Sequence, residues 1–164
     1  MQSTPFFTII TPVYNRAEIV TKTIQSVLQQ NFTDFELILI DDGSSDGTLE
    51  LIKSEAEKDD RIEIIALGEN KGRCYARNTG LKNAKGNWIC YLDSDDLYYP
   101  NHLSVMVDMI NEHNSFVAFA VDQHINGLLK KYSSKKLHKN EAILKLTDFI
   151  EGNPLTANQL CHLK

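Results

Sequence analysis

At 164 residues, with 42% hydrophobic and 24% charged side chains, the chain has the size and composition of one globular domain with a real core. Its net charge of −5 argues against a nucleic-acid polymer or an anionic membrane as the main partner. Three scattered cysteines, Cys74, Cys90 and Cys161, form no C-x-x-C pair; they exclude a disulfide framework or zinc site and fit reduced cytoplasmic thiols.

Phe6-Phe7-Thr8-Ile9-Ile10 is β-branched and aromatic and predicts a first strand. Pro12, in Thr11-Pro12-Val13-Tyr14-Asn15, is expected to end regular pairing and open a loop. From Ala17 the apolar period becomes helical, with Ile19, Val20, Thr23, Ile24, Val27 and Leu28 on one stripe. Phe35–Ile40 is a second buried strand, and it runs into Asp41-Asp42-Gly43-Ser44-Ser45-Asp46-Gly47-Thr48, a loop of turn formers. Ser45 or Asp46 is placed to cap a helix carrying Leu49, Ile52 and Ala56. Arg61–Leu67 alternates weakly, as a strand near an edge does. Cys74–Ala84 reads as a helix, stopped by Lys85-Gly86-Asn87. Trp88–Leu92 is apolar at every step, as in a parallel strand buried on both faces, and Asp93 should end it.

Pro100 then starts a helix through about His113, with Leu103, Val107 and Ile110 inward. Phe116–Val121 reads as a strand, and Asp122–Tyr132 as a strand or a hairpin arm turning at Asn126-Gly127. Ser133–Asn140 is basic and polar, and Glu141–Ile150 suits a short amphipathic helix. No signal peptide is visible, and no apolar run approaches the ~20 residues of a transmembrane segment. Strand and helix alternate through residue 121, which predicts an α/β fold with a mostly parallel sheet flanked by helices.

Ligands of such sheets bind beyond the C-terminal ends of the strands. Two acidic clusters emerge at that edge: Asp41-Asp42 after the second strand, and Asp93-Ser94-Asp95-Asp96 after the fourth. Either cluster alone also suits a solvated turn with a helix cap. Three carboxylates within four positions repel one another unless something cationic lies between them, and an oxygen-only set favours Mg²⁺ or Mn²⁺. No G-x-G-x-x-G, P-loop or G-x-S-x-G is present, and the EF-hand-like start at Asp42 meets Lys53 where a bidentate Glu is needed.

Four pieces in order carry a resemblance. They are Thr11-Pro12-Val13-Tyr14-Asn15, then Ile38–Thr48, then Asn70-Lys71-Gly72 with Ala76-Arg77-Asn78-x-Gly80, and finally Tyr91-Leu92-Asp93-Ser94-Asp95-Asp96. Across roughly residues 6–105 the chain resembles the N-terminal half of a glycosyltransferase family 2 enzyme of GT-A, Rossmann-like fold. The resemblance implies a nucleotide-diphospho-sugar donor, with UDP the expected nucleotide, and an inverting, metal-dependent transfer to a glycan, lipid-linked or other hydroxyl acceptor. It places Pro12 and Tyr14 at the nucleoside and Asp42 at the base N–H. Asp93 and Asp95 become the D-x-D metal pair for Mn²⁺ or Mg²⁺, with Ser94 and Asp96 at the donor and Lys71 and Arg77 near the diphosphate. Tyr14 also suits a half-buried packing role, and Arg77 a structural ion pair.

The whole chain is expected to form one domain, about 6–122 as the donor half and 123–164 as the start of an acceptor half. No ED-like motif offers a catalytic base, which is therefore expected beyond Lys164. The protein is expected in the cytoplasm, with a peripheral position at the inner face of a membrane compatible. A non-catalytic nucleotide-sugar-binding module is a second reading. A receiver-type signalling domain is a third, disfavoured because the first strand ends without an acid pair.

Overall fold

The computed structural model describes residues 4–113, 123–125, 128–130 and 161–164. In chain order the elements are β1 (Phe7–Val13), α1 (Val20–Leu28), β2 (Phe35–Asp41), α2 (Thr48–Ala56), β3 (Ile62–Ala66), α3 (Arg73–Asn83), β4 (Trp88–Tyr91) and α4 (His102–His113). Three short strands follow, β5 (Gln123–Ile125), β6 (Leu128–Lys130) and β7 (Cys161–Leu163). The main sheet has the order β3-β2-β1-β4-β7, parallel through its first four strands, with β7 antiparallel on β4. β5 and β6 pair antiparallel, as a hairpin over 122–132 would, while Asn126-Gly127 lies outside the described residues. The predicted strand Phe116–Val121 and helix Glu141–Ile150 also lie outside them.

Alternation along the strands builds two cores. Phe7, Ile9, Val13, Leu37, Leu39 and Cys90 face α1, α2 and α4 through Ile24, Ile52 and Leu103. Ile10, Ile38, Ile40 and Ile89 pack against Ala76 of α3 and against Ala84 just past its end. Burial on both faces makes β2 apolar at most positions, whereas β3, at the edge, is mostly half-buried. α3 approaches closely at Gly80, where a Cβ would lie 2.6 Å from Ile10 Cγ2 and 2.9 Å from Ile40 Cδ1. No helix among the described residues is long and apolar enough to cross a membrane.

Three local expectations change. Pro12 does not end β1, which stays paired with β2 to Val13↔Asp41. The Ile10 carbonyl accepts from Leu92 N–H on the β4 side, and the Val13 carbonyl accepts from Asp42 N–H on the β2 side. Pro12, in phase with Ile10, therefore turns its missing N–H toward the β4 side, past the last β1–β4 pair, where no ladder bond is lost. β4 itself ends at Tyr91, and both its end residues are half-buried rather than buried. α4 starts two residues after Pro100, whose carbonyl accepts Asn31 N–H at 2.8 Å.

Candidate functional site

β1 lies between β2 and β4, so the segments leaving all three strands meet at one edge of the sheet. A cleft of about 360 Å³ opens there. Pro12, Val13, Tyr14 and Arg16 line it from β1, Asp42 from β2, Asn70, Gly72 and Arg73 from the start of α3, and Asp93, Ser94 and Asp95 from β4. A separate hollow of about 310 Å³ between α1 and residues 97–100 is lined by Lys22, Gln25, Ser26, Gln29, Leu97, Tyr98 and Pro100, with no carboxylate. The chemistry therefore belongs to the first.

The wall built from the segments after β1 and β2 is held by interlocked loops. Asp42 is 3% exposed, and its carboxylate accepts the N–H groups of Lys71 at 2.8 Å and Gly72 at 2.9 Å. Asp41 accepts Ser44 N–H at 3.2 Å and keeps its other oxygen buried without a partner among the described residues. Gly43, at φ 76°, sits so close to the other loop that a Cβ would lie 2.6 Å from the Glu69 carbonyl carbon. Asn15 adopts a left-handed conformation, φ 50°, open to Asn more readily than to most residues. It donates its N–H to Ser44 Oγ and accepts Ser45 N–H on its side-chain oxygen. Asp46 ties both segments together by accepting from Ala17 N–H and Thr48 N–H. These bonds hold its carboxyl below the usual carboxylate range, the Thr48 side chain contributing most. The cap of α2 thus comes from Asp46, but the N-cap position itself is Gly47.

The opposite wall is acidic. Arg77, on α3, places Nη2 2.5 Å from Asp93 Oδ1, and Arg16 places Nη2 3.5 Å from Asp95 Oδ2. Asp96 donates its N–H to the Asp93 carbonyl. Burial, and then the charges of Asp95 and Asp93, push the Asp96 carboxyl above the usual range. α1 tethers this whole segment: Thr23 Oγ1 donates to the Ser94 carbonyl at 2.9 Å, and Ser26 Oγ accepts Tyr98 N–H at 3.1 Å. Gln30, just past the end of α1, donates to the Tyr99 carbonyl and accepts Leu103 N–H, capping α4.

The structure thus brings together Pro12, Tyr14, Asp42, Asp93, Ser94 and Asp95 around one cleft, with Arg77 joined to it through Asp93. Lys71 differs. Its backbone serves Asp42, but its ammonium group pairs with Glu69 at 3.3 Å and lies 5.2 Å from the Tyr75 ring centre. Asp96 stands beside the cleft without lining it. Sequence reasoning missed Arg16, Asn70 and Arg73. Arg16 directly follows the Tyr14-Asn15 pair and Arg73 directly follows Lys71-Gly72, so adjacency to the motifs was the available signal.

Among the described residues no three His, Cys, Asp or Glu side chains converge as a metal cage. The oxygen donors Asp93 and Asp95 nevertheless suit a hard divalent ion, which commonly takes one or two carboxylates and completes its shell from phosphates and water. Each of the two already lies against a guanidinium, so the place accommodates positive charge.

The model of the family "Glycosyl transferase family 2" matches residues 8–161. The chain is 40% identical over 106 residues to UDP-Glc:alpha-D-GlcNAc-diphosphoundecaprenol beta-1,3-glucosyltransferase WfgD of Escherichia coli, covering 65% of this chain and 41% of that protein. It is 35% identical over 156 residues to the succinoglycan biosynthesis protein ExoO of Rhizobium meliloti, covering 92% of this chain and 43% of that one. It superposes on S. aureus TarS 1–349 in complex with UDP with a TM-score of 0.68 at 30% identity, over 74% of this chain and 37% of TarS 1–349. The chain therefore spans less than half the length of these relatives. The parallel sheet, its helices and this likeness give it the GT-A fold, and with the family match over most of its length the chain belongs to glycosyl transferase family 2.

Proposed function

We propose that the cleft binds a nucleotide-diphospho-sugar, with UDP as the nucleotide, and that the whole protein transfers the sugar with inversion to an acceptor hydroxyl. The carrying observation is one cleft that joins a half-exposed aromatic ring, Tyr14, and a backbone-braced carboxylate, Asp42, to the Asp93-Ser94-Asp95 turn. Tyr14 and Pro12 offer an apolar surface to base or ribose. The two amide bonds fix the Asp42 carboxylate while each oxygen keeps a second lone pair, which suits a base N–H. Asp93 and Asp95 would hold Mg²⁺ or Mn²⁺, which supplies neutralisation of charge on the leaving diphosphate. Arg77, held on Asp93, supplies positive charge near it, Lys71 braces Asp42 through its backbone, Ser94 lines the donor wall and Asp96 stands beside it.

The UDP reading draws support from the TarS structures, solved with UDP and with UDP-GlcNAc, and from the E. coli relative, named for UDP-Glc. That relative's diphosphoundecaprenol-linked acceptor supports a lipid-linked or glycan hydroxyl here. Residues from about 6 to 122 are assigned to the donor half.

The test is a thermal-shift and calorimetry panel of UDP-, GDP-, dTDP- and CMP-sugars, each with and without Mn²⁺. A UDP-sugar at a hundred times its dissociation constant should add about 2.7 kcal/mol of stability. Equal responses to all four nucleotides would remove the UDP assignment, and no response to any would remove the donor site.

A further inference from the structure

The two carboxylates beyond β4 each touch an arginine, and the two arginines come from different sides of the cleft. Arg77 belongs to α3, and Arg16 to the segment after β1. Neither guanidinium is saturated. The Nε of each is buried and has no acceptor among the described residues. A shielded donor without a partner costs about as much as a lost hydrogen bond, so the one on Arg16, which lines the cleft, points to an acceptor that the protein does not itself supply, whereas Arg77 reaches the cleft only through Asp93.

Arg16 differs from Arg77 in how it is held. Its N–H donates to Thr48 Oγ1 at 2.8 Å, and the neighbouring Asn15 and Ala17 N–H groups are bound to Ser44 and Asp46. The side chain, by contrast, is 41% exposed; its Nη1 donates to the Asn15 carbonyl at 3.2 Å and its Nη2 meets Asp95 at 3.5 Å. Arg77 is 22% exposed and meets Asp93 at 2.5 Å. A guanidinium fixed at its base and loosely paired at its tip can exchange partners without any change in the loop.

We infer that Arg16 is a partner-switching residue of the donor site: it pairs with Asp95, and turns to the donor's diphosphate when a divalent ion takes that carboxylate. The inference rests on the nucleotide-diphospho-sugar reading of the cleft. Asp95 cannot serve both cations fully, so a divalent ion arriving alone must displace Arg16. A diphosphate arriving alone must draw Arg16 away from Asp95. Whichever ligand binds second finds the pair already separated. Metal and diphosphate therefore help each other to bind, and by linkage the help is equal in both directions. Arg16 is a positioning and coupling residue in this scheme, and turning brings its unspent Nε donor to an acceptor on the phosphates.

Calorimetry on the full chain tests this, with Mn²⁺ alone, UDP alone and each in the presence of the other. Arg16→Met should bind Mn²⁺ alone about two- to five-fold more tightly than the wild type, because an exposed competing ion pair has gone. It should bind UDP in the presence of Mn²⁺ about tenfold more weakly, because a charged hydrogen bond to phosphate has gone. The mutual enhancement of the two ligands should shrink accordingly. Arg16→Lys, which keeps the charge without the fork, should fall between the two. An Arg16→Met protein with wild-type enhancement, or with no tighter Mn²⁺ binding, would overturn the inference alone. A wild-type protein that binds no UDP with Mn²⁺ would overturn the donor-site reading, and this inference with it.

Discussion

Asp42 serves the fold and the cleft with the same two oxygens. Replacing it by Ala strands the Lys71 and Gly72 N–H groups as well as removing the proposed base contact. Asp42→Ala should therefore cost about 1–3 kcal/mol of stability and weaken metal-free uridine nucleotide binding at least about tenfold. Urea unfolding and calorimetry read the two losses separately; unchanged stability would show that the amide bonds are not formed in solution. His102 makes a different prediction. Burial lowers its pKa to about 4, and its ring stacks on Tyr98 with centres 3.8 Å apart. The unfolded chain, with an ordinary histidine pKa near 6.5, takes up the proton first, so stability is full above about pH 6.5 and falls as pH drops toward 4. Between pH 7 and pH 5 this amounts to about 2 kcal/mol, and His102→Phe should flatten that part of the stability profile. Carboxylates were the legible part of the site, because Asp disfavours strands and marks where they end. The directions of Arg16 and Lys71 were not, since a long cationic side chain goes to whichever partner the tertiary structure offers.

α1 is the element through which the acidic turn is positioned. Thr23→Val keeps the side-chain volume but leaves the Ser94 carbonyl without its donor. It should lower stability by about 1 kcal/mol and weaken Mn²⁺-dependent UDP binding several-fold, with metal-free binding spared. Loss of both kinds of binding alike would place its effect elsewhere. In α3, Gly80→Ala gains helix propensity of about 1 kcal/mol. The new methyl must still push Ile10 and Ile40 aside, an overpacking of about 1–3 kcal/mol, so a net loss in thermal unfolding is expected. The long periodic elements could be read directly: β1, β2, α1 and α4 follow apolar patterns of period 2 or 3.6 or are apolar throughout. β7 could not, because three residues become a strand only by pairing with β4. Pro12 misled for a related reason. Its effect depends on which side of the strand needs a donor, and strand order decides that.

At the scale of the molecule, the order β3-β2-β1-β4 puts both halves of the cleft on either side of β1. UDP with Mn²⁺ should therefore slow amide hydrogen exchange in β4 and at residues 71–73 more than in α2, which carries no cleft residue. Equal protection everywhere would mean that the ligand acts on global stability alone. The same strand order fixes a sequence of events during folding. β1, β2 and β3 pair as sequence neighbours through α1 and α2, so this unit can assemble from local contacts. β4 must return from Trp88 to Phe7, the longest closure among the parallel pairs and the slowest by its entropy. Until that strand docks, Asp93 and Asp95 have no Tyr14 or Asp42 opposite them. Docking of the last parallel strand and birth of the cleft are one event, so any ligand of the cleft present while the chain folds would draw that final step forward.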